Sequence, residues 1–435
     1  MPRRFAFLCL VILTLLALPA VADDHDTFIL RPAPGALPRV VQRYQLRILK
    51  SLPAKNIYLV QPIDDDDFED HVRGDRDVIA VERNEDLFAP ETHSGSTSPT
   101  LDPLNEALST RRMVNYFGSS MWEGFVRQPA ASLIGLPQAQ SRQRTGAGIV
   151  AVIDTGVDAN HPVLRAALVP GFDFTRDLAG IPSDLADLEA PTAAALTQTT
   201  TAFIDNGARP VPINQYVVAA LTQTTTAFID TGKLPNGFGH GTMVASLVRL
   251  AAPTARIMPL KAFLADGRSN TFDILRAIYF AADQGANVIS MSFNMKESSP
   301  ELVRAIDYAS QRRVTLVSSA GNDGNEIIVY PAAYPNVMGI ASTNTADIRS
   351  GFTNYGPQLV TLSAPGEGVI AAYPGNNYAS VWGTSFSTPL VAGAAALFLQ
   401  MNPLATPAQI EAALVRTARP LESALGAGRL SVSRW

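Results

Sequence analysis

Three stretches of the chain each set a reactive side chain beside glycine. The first, 152–158, reads Val-Ile-Asp-Thr-Gly-Val-Asp and carries Asp154. The second, 237–245, holds His240 between Gly239 and Gly241. The third, 383–389, carries Ser385 just ahead of the apolar run LVAGAAALFLQ. A carboxylate, an imidazole and a hydroxyl are the side-chain types that base-assisted nucleophilic attack draws on. Taken singly, each has a plainer reading. Asp154 could be a turn former, His240 a structural or surface histidine, and Ser385 a helix cap.

The elements around them set the context. Residues 148–153 form an apolar strand, and Asp154 ends it at the carboxyl edge, where open α/β sheets bind ligands. Further apolar strands are expected at 257–260, 287–291, 314–317, 337–341 and 359–362. Helical patterns at 271–284 and 299–311 lie between them, and a last helix at 407–416 closes the core. Strands apolar on both faces, alternating with helices, predict an α/β fold with a mostly parallel sheet flanked by helices. His240 opens an apolar helical run, and Ser385 sits where a turn enters a buried helix.

The rest of the chain reads differently. Of 435 residues, 47% are hydrophobic and 17% charged, which argues against a wholly disordered or coiled-coil chain. A net charge of -5 is unlike a non-specific nucleic-acid binder. Residues 1–22 join Arg3 and Arg4 to an apolar run and an Ala-Val-Ala cleavage pattern, the form of a secretory signal peptide. The one cysteine, Cys9, lies inside it, so no intramolecular disulfide framework is expected. The apolar run is short for spanning, and no other run of 18 apolar residues follows, so the mature chain is expected to lack a membrane span. Residues 23–129 carry 12 basic and 18 acidic side chains, against 20 and 21 in 130–435, which places a domain boundary near 129. The first region reads as a small α+β unit with strands at 44–50, 57–61 and 78–83. A run from Asp64 to Asp67 opens either a helix or a solvated loop. A Ser/Thr/Pro-rich linker follows at 89–110. Within an insertion at about 180–235, the segment at 195–207 recurs at 220–232 with 12 of 13 positions identical and a period of 25 residues. Two copies are too few for a solenoid, so a local duplication forming a hairpin or helical pair is expected.

Together the three motifs, in the order Asp, His, Ser, resemble the subtilisin-like serine proteases, the subtilases. The resemblance runs over about 130–435. It extends to Val317–Gly324, which is similar to the family segment bearing the oxyanion-hole asparagine, here Asn322. The resemblance implies a serine endopeptidase that cuts protein or peptide substrates. In it Ser385 attacks the peptide carbonyl, His240 accepts and returns the proton, Asp154 orients the ring, and the Asn322 amide meets the developing oxyanion. Ser292, Phe293 and Asn294 match a strand that pairs with substrate backbone and usually reads Ser-Leu-Gly, so Phe293 and Asn294 depart from it. Ser318, Ser319, Ala320 and Gly321 are expected to wall the pocket for the residue before the scissile bond. Their small, apolar character argues against a strictly acidic or basic preference there.

Residues of about 40–92 resemble the family's inhibitory propeptide, with the chain's own pro-region, 23–129, as a transient inhibitor. Export to the periplasm or extracellular space follows from the signal. No cofactor is needed for the chemistry. Calcium is expected only as a structural ion of such relatives, with no ligand residues assigned. Two alternatives remain at this level: a processing protease of narrow specificity steered by the insertion, and an inactive scaffold that binds peptides.

Overall fold

The computed structural model describes residues 26–63, 67–89, 112–190, 192–193, 212–214, 217–218 and 234–435. The expected signal at 1–22, nearly all of the linker and both copies of the duplicated unit lie outside the described residues.

The chain divides into two compact units, Met1–Asn84 and Glu85–Trp435. The smaller contains β1 (Phe28–Pro32), α1 (Leu37–Arg43), β2 (Leu46–Leu52), β3 (Ile57–Pro62), α2 (Phe68–Val72) and β4 (Val78–Arg83). Its sheet runs in the order β2-β3-β1-β4, with antiparallel neighbours. The helices pack Val40, Phe68 and Val72 onto Phe28, Leu30, Leu46 and Val60. The Phe28 and Phe68 rings meet edge to face at 5.0 Å. Asp67, the last residue of the acidic run, precedes α2, and Asp64, Asp65 and Asp66 lie outside the described residues. The central strand β1 has no counterpart in the sequence expectations.

The larger unit opens with β5 (Asp86–Phe88), the hairpin β6 (Met113–Tyr116) and β7 (Ser119–Trp122), and the helices α3 (Glu123–Val126), α4 (Pro129–Leu133) and α5 (Leu136–Ser141). Its centre is an eight-stranded sheet. In chain order the strands are β8 (Ile149–Asp154), β9 (Gly171–Asp173), β10 (Leu178–Gly180), β13 (Arg256–Lys261), β15 (Val288–Met291), β16 (Thr315–Ser319), β17 (Val337–Thr343) and β18 (Leu362–Pro365). They lie in the order β10-β9-β13-β8-β15-β16-β17-β18, parallel throughout except for the β9–β10 edge. Val150, Ala151, Val152 and Ile153 of β8 are all buried, as a strand covered on both faces requires.

Helices α6 (His240–Ala251), α7 (Thr271–Asp283), α8 (Pro300–Gln311), α9 (Thr384–Met401) and α10 (Pro407–Thr417) cover the sheet. Local signals start three of them. Asn270 accepts from the Asp273 amide at 3.0 Å, Ser299 from Leu302 at 3.0 Å, and Thr406 forms a capping box with Gln409. Among the described residues α9 alone is long and apolar enough to cross a membrane, but it is the core helix, 83% buried. A Cβ on its Gly393 would run into Ala251 of α6, so glycine allows these helices to touch.

Two expectations shift. Leu359 and Val360 fall outside a strand and join Ala320, Val329 and Leu425 in a satellite core, because pairing with β17 begins only at Leu362. Residues 113–126, expected before the boundary near 129, belong to the larger unit. There Met121, Trp122 and Phe125 are buried in the main core. The insertion contributes β11 (Pro212–Asn214) and β12 (Val217–Val218), which extend a sheet ordered β11-β12-β20-β19, where β19 is Val369–Tyr373 and β20 is Asn377–Val381.

Candidate active site

Asp154 is the last residue of β8, His240 the first of α6 and Ser385 the second of α9. All three are buried, with Ser385 fully covered. The fold thus brings the three motifs together from positions 86 and 145 residues apart. His240 Nδ1 lies 2.7 Å from Asp154 Oδ1, which also accepts from the Thr155 amide at 2.8 Å. The glycines beside the histidine have physical work. Gly239 begins the helix at φ +81, and a Cβ on Gly241 would strike the Gly156 carbonyl. The His240 ring packs on Phe386, the neighbour of Ser385, at 5.5 Å.

Ser385 sits on a crossed pair of hydrogen bonds. Its Oγ donates to the Ser292 carbonyl at 3.3 Å, and Ser292 Oγ donates to the Ser385 carbonyl at 3.0 Å. The second bond has a cause in the sequence. Pro389, four residues on, has no N–H for the Ser385 carbonyl, and Ser292 takes that place. Asn322, beyond β16, accepts at Oδ1 from the Thr384 amide at 3.0 Å and from Thr384 Oγ1 at 2.9 Å. With its carbonyl held this way, the Nδ2 group is the donating end. The Ser385 amide lies in the first turn of α9, where amides have no helical acceptor.

The residues expected to bind substrate divide. Phe293 is 1% exposed and stacks on Phe263 at 5.2 Å, so its bulk is taken up in the interior. Ser318, Ser319 and Ala320 are fully buried; Ser319 Oγ donates to the Phe293 carbonyl at 3.3 Å, and Ala320 belongs to the satellite core. Asn294 is the departure that reaches the surface of the site. Its Nδ2 lies 2.9 Å from where a Cβ on Gly321 would be, so its amide occupies space above that glycine.

Asn294 also forms an antiparallel bridge with Phe88 of β5. On its other side β5 pairs antiparallel with β14 (Arg268–Asn270), Leu87 opposite Ser269. The Ala89 amide extends this ladder to the Gly267 carbonyl at 2.9 Å. An extended segment of the chain therefore lies as a middle strand between two edges. Leu87 is buried and Phe88 is 40% exposed. A cleft of 330 Å³ runs along this strand, lined by Asn294, Met295, Asn322 and Asp323 among others. The sequence pointed to the edge at 292–294 but not to the one at 268–270, which is polar, three residues long and without periodicity. No group of three or more His, Cys, Asp or Glu side chains able to hold a metal occurs among the described residues.

Known proteins resemble the chain over much of its length. Residues 146–431 match the model of the subtilase family. Thermitase of Thermoactinomyces vulgaris is 31% identical over 302 residues, 67% of this chain and 88% of that protein. Subtilisin BL of Lederbergia lenta is 32% identical over 306 residues, 67% of this chain and 91% of its own. Among solved structures, fervidolysin of Fervidobacterium pennivorans, a keratinolytic enzyme related to subtilisin, superposes with a TM-score of 0.69 at 21% identity. That match covers 94% of this chain, which spans only 60% of fervidolysin.

Proposed function

Since the chain belongs to the subtilase family and is a serine-type endopeptidase acting on protein or peptide substrates, we propose that Asp154, His240 and Ser385 are its catalytic triad and Asn322 its oxyanion donor. The observation that carries this reading is the buried 2.7 Å bond between His240 Nδ1 and Asp154 Oδ1. It fixes the ring tautomer and leaves Nε2 to move the proton. Ser385 Oγ then attacks the carbonyl carbon of the scissile bond as its proton passes to His240. Negative charge gathers on the former carbonyl oxygen, where the Asn322 Nδ2 group and the Ser385 amide donate. His240 returns the proton to the leaving amine as the C–N bond breaks, giving an acyl-enzyme. Water, deprotonated by the same imidazole, attacks the ester carbonyl, and as the bond to Ser385 Oγ breaks His240 returns that proton to the serine and the acid is released. Only side chains, one backbone amide and water take part.

The same reading makes the protein an exported zymogen. The strand β5 occupies a place between Asn294 and β14 that an extended peptide would take, and in sequence it directly follows the small α+β unit. This supports a transient inhibitor role for the N-terminal region, with cleavage in the Ser/Thr/Pro-rich linker. The sequence of residues 1–22 supports export.

A fluorophosphonate probe tests both. The expected result is irreversible labelling of Ser385, with Ser385→Ala losing labelling and hydrolysis together and keeping its N-terminal region uncut. Hydrolysis that survives Ser385→Ala overturns the triad. A wild-type chain that is uncut yet fully active overturns the zymogen.

A further inference from the structure

Behind the Asp154–His240 pair lies a carboxylate that the chemistry above does not use. Asp184 begins a short 3-10 turn, Asp184–Asp187, at the start of the insertion, and is 1% exposed. It accepts from Thr155 Oγ1 at 2.7 Å, from the Thr242 amide at 3.1 Å and, closely, from Thr242 Oγ1. Thr155 is the neighbour of Asp154, and Thr242 lies two residues beyond His240. Thr155 Oγ1 in turn accepts from the Gly241 amide at 2.9 Å, and Thr242 Oγ1 from the Asp158 amide at 2.7 Å.

These contacts supply something that α6 lacks. Its N-cap is Gly239, which has no side chain to satisfy the first-turn amides. Gly241 and Thr242 find acceptors outside the helix, one on Thr155 and one on Asp184. The cap is therefore provided in trans, and the same carboxylate holds the strand end that carries Asp154. Every bond to Asp184 is a donation toward it, which suits a charged carboxylate at a helix N-terminus, although burial outweighs the Thr242 and Thr155 bonds and Lys261 and raises its pKa. The charged and titratable groups around it are Asp154 from β8, Lys261 from β13 and Tyr373 from β19. Lys261 Nζ is itself bound to Asp187 at 2.7 Å and to the Thr155 carbonyl at 2.6 Å.

We propose that Asp184 is a positioning residue for catalysis, a remote cap that locks the His240 helix and the Asp154 strand in one register and ties the root of the insertion to the active site. This rests on the triad reading above. Asp184→Asn keeps the shape but loses the charge and one acceptor. The expected result is a kcat reduced about 10- to 100-fold with KM within about threefold, since small misplacements of catalytic groups cost rates of this order. Removal of a nearby negative charge also disfavours imidazolium, so the acid limb of the kcat/KM profile moves to lower pH. Fluorophosphonate labelling of Ser385 slows in parallel.

A lower thermal midpoint with kcat and the acid limb unchanged assigns Asp184 a structural role only and overturns the proposal. Should Asp184→Asn fail to fold, Thr155→Val and Thr155→Ser decide. The valine breaks the link from Asp184 to Gly241 and lowers kcat, and the serine restores it. Equal kcat in both overturns the proposal as well. A wild-type protein that neither hydrolyses peptides nor takes the probe would instead sink the protease mechanism, so the two failures are distinct.

Discussion

The two units use charge in opposite ways. Among the described residues the smaller unit has no buried polar or charged side chain. Its charges meet at the surface, where Arg39 and Arg43, 60% and 45% exposed, reach Asp75 and Asp77. The larger unit buries Asp154, His161, Asp184, His240 and Lys261 close to its site. Burial of such groups is costly unless each is paired, so their partners are numerous and fixed in direction. The contrast separates two tasks. A surface ion cluster adds little rigidity and answers to salt, while a buried one gives geometry and fails hard when a member is removed.

The buried end of that comparison should break most visibly at Lys261. Its side chain is fully buried and donates to the Thr155 carbonyl, Asp187 and the Phe263 carbonyl at 2.6, 2.7 and 2.8 Å. Burial works to raise the Asp187 carboxyl, and Lys261, ahead of Arg176, more than offsets it and leaves that carboxyl below its ordinary range. Lys261→Ala takes the buried cation from Asp187, which keeps Arg176 and the Ala265 amide, and leaves two carbonyls without their donor, and the expected loss is about 3 kcal/mol. Urea denaturation of the larger unit, in a Ser385→Ala background that prevents self-digestion, measures it. A loss below about 1 kcal/mol would place this pair with the surface ones.

His161 gives the next effect. It is 1% exposed, its Nε2 donates to the Asn377 carbonyl at 3.0 Å, and its Nδ1 accepts from the Val163 amide at 3.2 Å. Both bonds suit the neutral ring. Burial pushes its pKa down to about 4, against the pull of the Asn377 carbonyl and Asp158. The folded value lies below the unfolded one of about 6.5, so between them the unfolded chain binds more protons. Stability is therefore lost as pH falls from about 6.5 to 4, by about 3 kcal/mol, and changes no further below that on this account. His161→Gln should flatten that part of the denaturation-versus-pH curve. An unchanged slope would mean that other groups set it.

The sequence exposed the features that repeat or run, and hid those made by distant partners. The apolar runs of β8, β15 and β16 were legible because a strand covered on both faces must be apolar throughout. The three motifs were legible because glycine and a reactive side chain stood together in each. Strand β1 was not, since FILRP is short and ends in proline. The charge count placed a boundary near 129 because it averaged an acidic small unit with a hairpin whose decisive residues, Trp122 and Phe125, are uncharged. Asp184 carried no local signal at all. Its meaning depends on Thr155, 29 residues before it, and Thr242, 58 residues after.

The smallest effect sharpens the comparison from the surface side. Arg43 binds both Asp75 and Asp77, the latter at 2.9 Å, and Tyr44 donates to Asp75 at 2.9 Å. The bond from Arg39, with Arg43 adding to it, holds the Asp77 carboxyl down to about 2. A lowered carboxyl contributes stability that is present above its unfolded value near 4 and is lost as pH falls through 2. The exposed guanidinium ends of Arg39 and Arg43 are also screened once the Debye length shrinks to a few ångströms. Amide hydrogen exchange of β1 and β4 in the full Ser385→Ala chain should therefore quicken modestly when salt rises from about 0.05 to 1 M, and Arg43→Gln should remove most of that response. Amides of β8, backed by buried pairs that salt reaches poorly, should change less. Equal acceleration in both units would show that burial does not separate the two kinds of ion pair, and the contrast between the units would fail.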